Sequence, residues 1–289
     1  MIGEYRIVQA LASTRTYMAF TGCHVTLDRP VCIRIAHDPT FSPALAHEAE
    51  ILARLCHAGI PTLQETGTLA DGRRWLATGA VGTTTLHAAG VLLAPQVTAL
   101  IRDLCGILGH VHEQGLVLRA LRPGAILLPD ASWAGTVTTI SDWIDAQHVG
   151  RRGALLHAEP GFVAPEVVRS ASGDARGDLY SIGAIAYRAL TGSVPAKPWS
   201  SWDGGSFVGA AERCPGAPAE LTALIDQLLL DDAWSRPGTC AEVQGLLGED
   251  ESDGDGVTVR RPPAFDFDFE IEAMTPTPLP RVPKPELGL

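Results

Sequence analysis

The chain has 289 residues, 46% of them hydrophobic and 19% charged, which suits one large core or two modest lobes and excludes a wholly disordered chain. Its net charge of −11 argues against the basic surface that nucleic-acid binding requires. Six scattered cysteines without a C-x-x-C pair point to reduced thiols, and neither a signal peptide nor a membrane-length apolar run is visible, so the expectation is a cytoplasmic protein.

Short runs rich in β-branched and aromatic residues predict strands at Tyr5 to Val8, Tyr17 to Phe20 and Val31 to Ile35. A helix follows from about Pro43, where Leu45, Glu48, Ile51, Leu52 and Leu55 recur at helical spacing. Asp71-Gly72 predicts the turn of a hairpin whose second strand ends near Trp75-Leu76-Ala77. Beyond Gly79 the pattern turns helical, with an apolar stripe of Val97, Leu100, Ile101, Leu104, Leu108 and Val111. Leu179 to Leu190 reads as a buried core helix. Strands with one helix among them, then helices, define an α+β fold of two lobes.

From Glu249 the composition changes. An acidic run, Glu249 to Asp255, precedes seven prolines between Pro262 and Pro285, and this segment carries −6 of the charge. The expected organisation is a domain over 1–248, with an N-lobe at about 1–80 and a C-lobe at about 81–248, followed by a disordered acidic, proline-rich tail at 249–289. Thr275 and Thr277 are candidate phosphate acceptors in that tail. Trp199 and Trp202 are candidates for local packing or an exposed partner patch.

A series of short signatures stands in a fixed order. Leu11 to Phe20 precedes Val31-Cys32-Ile33-Arg34, then Glu48, His57-Ala58-Gly59-Ile60-Pro61 and Thr78 to Val81. His112 to Leu127, Ser141-Asp142-Trp143-Ile144, Ala164-Pro165-Glu166, Asp178 to Gly183 and Arg236-Pro237 follow. The order and spacing resemble bacterial serine/threonine protein kinases of the eukaryotic type, over roughly residues 3–248. The resemblance implies a two-lobed kinase fold with a small β-rich N-lobe and a larger helical C-lobe, binding ATP and magnesium between them.

The chain departs from that pattern where chemistry would lie. The three phosphate-loop glycine positions hold Ala12, Thr14 and Tyr17, so the backbone loses its freedom to wrap phosphates. Arg34 occupies the place of the strand lysine, and the only lysines are Lys197 and Lys284. A guanidinium keeps the charge but not the shape of an ammonium. Ala120 replaces the aspartate base, Ala125 the metal-binding asparagine and Arg122 the loop lysine. Loss of a general base typically costs ~10²–10⁴ in rate. Asp142 is the remaining metal-ligand candidate, and one carboxylate makes a poor magnesium site. From Asp142 to Glu166 no serine, threonine or tyrosine occurs, so phosphorylation there cannot act as a switch. Arg119 would need another anion, and Glu159 is a candidate.

The bracing positions are filled. Glu166 and Arg236 would pair in the lower lobe, Asp178 would hold the catalytic-loop backbone, and Leu52, Leu118 and Trp143 would continue an internal apolar column. His110 and His112 read as packed or solvated histidines without acidic or cysteine partners. The expectation is a pseudokinase, not an enzyme, that regulates or scaffolds a protein partner. It requires no cofactor, and a vestigial site of Arg34, Glu48 and Asp142 would be the place for ATP and magnesium. The alternatives are a degenerate ATP-binding enzyme with residual phosphoryl or nucleotidyl transfer, and a structural domain of a larger assembly.

Overall fold

The computed structural model describes residues 1–80, 82, 84–128, 137–195 and 207–248. Val81, Trp199, Trp202, the acidic run, Thr275 and Thr277 lie outside the described residues.

Five antiparallel strands form the first layer: β1 (Tyr5–Ser13), β2 (Tyr17–His24), β3 (Pro30–Ala36), β4 (Leu63–Thr68) and β5 (Arg74–Gly79), in the order β1-β2-β3-β5-β4. β3 is central, and every residue from Val31 to Ala36 is buried, which explains its unbroken run of apolar and β-branched residues around a single arginine. The hairpin between β4 and β5 turns at Gly72, whose φ of +85° puts it in the left-handed region that glycine tolerates best. Helix α1 (Ser42–Leu52) begins with proline in its first turn and lays Leu45, Glu48, Ala49, Ile51 and Leu52 toward the interior.

The second layer is helical. It contains α2 (Leu86–Ala89), α3 (Ala94–Glu113), α4 (Pro165–Ser170), α5 (Ala175–Thr191), α6 (Ala210–Arg213), α7 (Ala219–Leu228) and α8 (Cys240–Leu246). The apolar stripe of α3 is wholly buried and shares one core with α5, α7 and α8. α5 is capped by Asp174, which accepts from the Arg176 and Gly177 amides, and it is buried from Gly177 to Tyr187. At Gly183 an added Cβ would lie 2.6 Å from the Leu228 Cβ, so glycine is what lets α5 approach α7. The loop between α3 and α4 carries short pairings of β6 (Leu116–Val117) with β9 (Gln147–His148) and β7 (Ile126–Leu127) with β8 (Thr139–Ile140). Among the described residues no helix is long and apolar enough to cross a membrane.

Candidate functional site

A cavity of about 230 Å³ lies beneath the sheet. Ala19, Val31 and Cys32 line it from β2 and β3, Leu127 from β7, and Leu11 to Thr14 and Tyr17 from β1, β2 and the turn between them. The turn itself is closed by its own side chain. Thr14 Oγ1 donates to the Tyr17 carbonyl and accepts from the Thr16 and Tyr17 amides, while the Thr14 amide donates to the Tyr17 carbonyl. Three N–H groups that could face an anion are therefore already spent within the turn.

Arg34, at the centre of β3, is 3% exposed. Its Nη1 donates to Glu48 Oε1 at 2.5 Å and its Nη2 to the Ser141 carbonyl, and its guanidinium lies 5.1 Å from the centre of the Tyr17 ring. Glu48 Oε1 also accepts from the Trp143 amide at 2.9 Å, so α1, β3 and the loop at Asp142 meet at one oxygen. Burial raises the Glu48 carboxyl, against the opposing pull of Arg34.

Next to the cavity residue Ser141, Asp142 is held by a guanidinium and an imidazole. Its Oδ2 accepts from Arg122 Nη2 at 2.5 Å and from His157 Nδ1 at 2.6 Å, and its Oδ1 accepts from the Ile144 amide at 3.3 Å. Burial opposes ionisation, but His157, Arg122 and Arg34 outweigh it and hold the carboxyl well below the usual carboxylate range. His157 Nε2 lies 2.8 Å from Thr16 Oγ1. Because the ionised carboxylate can only accept, His157 donates from Nδ1, and in neutral form its Nε2 takes the Thr16 hydroxyl proton as acceptor. Carboxylate, imidazole and hydroxyl in line can draw a proton from a hydroxyl. Asp145 secures the segment by accepting from the Leu156 and His157 amides at 2.7 and 2.8 Å.

Ala120 and Ala125, where the resemblance would put a base and a metal ligand, are buried, Ala125 in a single 3₁₀ turn (Pro123–Ala125). A methyl at Ala125 and a carboxylate already shared by Arg122 and His157 do not fit a magnesium ion, which takes oxygen ligands in octahedral array.

The lower part is braced by polar networks around Asp178 and the Glu166–Arg236 pair. Asp178 accepts from the Leu118 and Arg119 amides at 2.8 and 2.7 Å and from His112 Nε2 at 2.9 Å. His112 thus has the acidic partner that its sequence neighbourhood does not provide, and Cys240 Sγ lies 3.8 Å from its Nδ1. Burial alone would lower the His112 pKa, but Asp178 and Cys240 push it up to about 10. Glu166 and Arg236 form a bidentate pair at 2.7 and 3.0 Å, and Arg236 also donates to the Leu230 and Arg176 carbonyls. Leu52, Leu118 and Trp143 are buried in the common core, and the Trp143 indole donates to the Ile140 carbonyl.

Arg119 is 1% exposed and adopts a φ of +68°. It does not reach for Glu159. Its donors go to the Asp145, Gly153 and Ala171 carbonyls, while the charge of Glu159 acts on Arg122. His157 and Asp145 are the site residues that motif matching misses. The available signal was a histidine and a spare carboxylate in a segment without hydroxyls.

A five-stranded sheet over a helical body, with the β3–α1 ion pair beside a cleft, defines a protein-kinase-like fold. Residues 21–244 match the protein kinase domain family, and the chain belongs to it. It is 26% identical over 253 residues to the serine/threonine-protein kinase PknJ of Mycobacterium tuberculosis, covering 80% of this chain and 43% of that protein. It is 30% identical over 207 residues to PknL of the same species, covering 66% of this chain and 50% of that one. For PknB the values are 27% over 251 residues, 76% and 38%. The chain spans half or less of the length of these relatives.

These matches correct one expectation. The inference that the chain is not an enzyme is overturned by relatives that are each named a serine/threonine-protein kinase. That inference counts missing side chains one at a time. In the fold the cleft stays open, Arg34 keeps the Glu48 pairing, and Asp142 meets Arg122 and also His157, a partner that the motifs do not predict.

Proposed function

We propose that the chain is a degenerate but ATP-binding enzyme of the protein kinase family, transferring a phosphoryl or nucleotidyl group by a geometry of its own. The observation that carries this reading is the open cavity whose lining combines Arg34 and Arg122 with Ala19, Val31, Cys32 and Leu127. Flat apolar walls suit a purine, and two guanidinium groups suit phosphates. On this reading Arg34, Glu48 and Asp142 belong to the nucleotide site, while Asp178, Glu166 and Arg236 hold the body that carries it. Residues 1–248 are taken as the domain, with lobes dividing near 80, and 249–289 as an appended tail.

With alanine at position 120, His157 backed by Asp142 is taken as the proton acceptor; its Nε2 is buried against the Thr16 hydroxyl, which an attacking hydroxyl would have to displace. The test is transfer from γ-labelled ATP to the chain itself and to a generic acceptor protein, with and without magnesium. Label incorporation that falls by ~10²-fold or more in His157→Ala is expected. Absence of incorporation under every condition would sink phosphoryl transfer.

A second reading, regulation or scaffolding by protein contact through the lower lobe, is favoured by Trp234, which is 78% exposed and stacked by Arg176 at 4.4 Å.

A further inference from the structure

We infer that the cleft takes a nucleoside polyphosphate without a divalent cation, with Arg122 supplying the positive charge that a metal ion would bring. The inference rests on the nucleotide-binding reading and goes beyond it in the ionic form of the ligand.

Charge comes first. Among the described residues that line the cavity, Arg34 and Arg122 carry charge and no aspartate or glutamate appears. The groups that reach the wall are guanidinium groups, each backed by a carboxylate, Glu48 or Asp142, that is not part of the lining, so the wall itself offers donors to an anion and no carboxylate to a cation.

Coordination comes second. A divalent cation of the hard, oxygen-seeking kind needs carboxylates that are free to turn toward it. The Asp142 side chain is 5% exposed, and its Oδ2 is shared between Arg122 and His157. Its Oδ1 accepts from the Ile144 amide. Recruiting Asp142 to a metal would strip Arg122 and His157 of their partner, leaving buried donors unsatisfied. Position 125 offers only a methyl group.

Geometry comes third. Arg122 reaches Asp142 through Nη2 and also lines the cavity, so the guanidinium links the carboxylate to the cleft wall. Its charge is permanent, and Asp142 raises its pKa further against the opposing effect of burial. A planar fork can bond two phosphate oxygens at once. The metal-free nucleotide carries more negative charge than its magnesium complex, and the two guanidinium groups favour it accordingly.

The experiment is calorimetric titration of the full chain with ATP, once in EDTA and once in millimolar magnesium chloride. Affinity in EDTA at least equal to that in magnesium is expected. Arg122→Gln is expected to weaken binding in EDTA by about tenfold, the loss of one charge-assisted bond. Melting of the unliganded variant checks that it folds, and the comparison of the two buffers needs no variant. Binding that appears only with magnesium would overturn this inference while leaving the nucleotide site in place. Absence of binding in both buffers would remove the nucleotide reading and this inference with it.

Discussion

The brace of the helical body and the floor of the cleft both rest on buried ion pairs, yet they are built differently. In the brace, each charged group has a full set of partners. Glu166 meets Arg236 through both oxygens, Arg236 satisfies three carbonyls, and Asp178 takes three donors. In the cleft, charges share. One oxygen of Asp142 serves Arg122 and His157, and one oxygen of Glu48 serves Arg34 and the Trp143 amide, leaving its Oε2 buried without a partner. A fully partnered network fixes one conformation, whereas shared partners leave groups that a ligand can compete for.

The largest expected effect breaks the brace. Asp178→Ala removes the acceptor for two amides and a charged imidazole, and should cost roughly 3–5 kcal/mol in denaturant unfolding. A loss below about 1 kcal/mol would mean that the catalytic-loop backbone finds other partners. Next is the pH dependence of the same network. The folded His112 pKa, about 10, lies above its unfolded value of about 6.5, so the native state binds more protons between them. The stabilisation is complete below ~6.5 and is lost as pH rises toward ~10, at about 1.4 kcal/mol per pH unit. Cys240 works in the opposite sense. Its bond with Cys105 lowers its pKa, burial raises it, and His112 lowers it again, to about 6. The experiment therefore uses Cys240→Ala as background. Melting temperature should fall with rising pH there and flatten when His112→Gln is added; equal slopes would dismiss the assignment. The smallest effect sharpens the cleft side. His157→Ala removes the link from Thr16 to Asp142 and should cost about 1–2 kcal/mol. It should also speed amide exchange in the turn between β1 and β2, and unchanged exchange at Thr16 and Tyr17 would show that the link does not hold the turn.

Much of the frame could be read from the chain because its signals are local. The β-branched run of β3, the Asp71-Gly72 turn and the stripe on α3 each announce their own period. Arg34, Glu48, Asp142, Arg122, Ala120 and Ala125 were placed by fixed order along the chain, a signal of position and not of contact. Contacts between distant residues were not legible. His157 reaches Thr16 across 141 positions, and His112 and Cys240 are 128 apart. Arg119 illustrates the limit. A cation seemed to call for an anion, but buried carbonyls take its Nε and Nη1 donors instead and its Nη2 has no hydrogen-bond partner, along a backbone path set by its positive φ. The expectation that the chain is not an enzyme rested on absent residues, which are visible in a sequence, and it is the kinase relatives that overturn it.

The oxygen of Glu48 that joins Arg34 to the Trp143 amide makes a lever of helix α1. Any ligand that draws Arg34 toward itself loads that oxygen, and the strain passes along the helix to its outer face, where Glu50 and Ala53 are exposed. The reverse must also hold. A protein that grips that outer face and shifts the helix changes the affinity of the cleft by the same free energy that the ligand lends to the grip. With no hydroxyl between Asp142 and Glu166 to receive a phosphate, this mechanical route from surface to cleft does not depend on covalent modification of that segment.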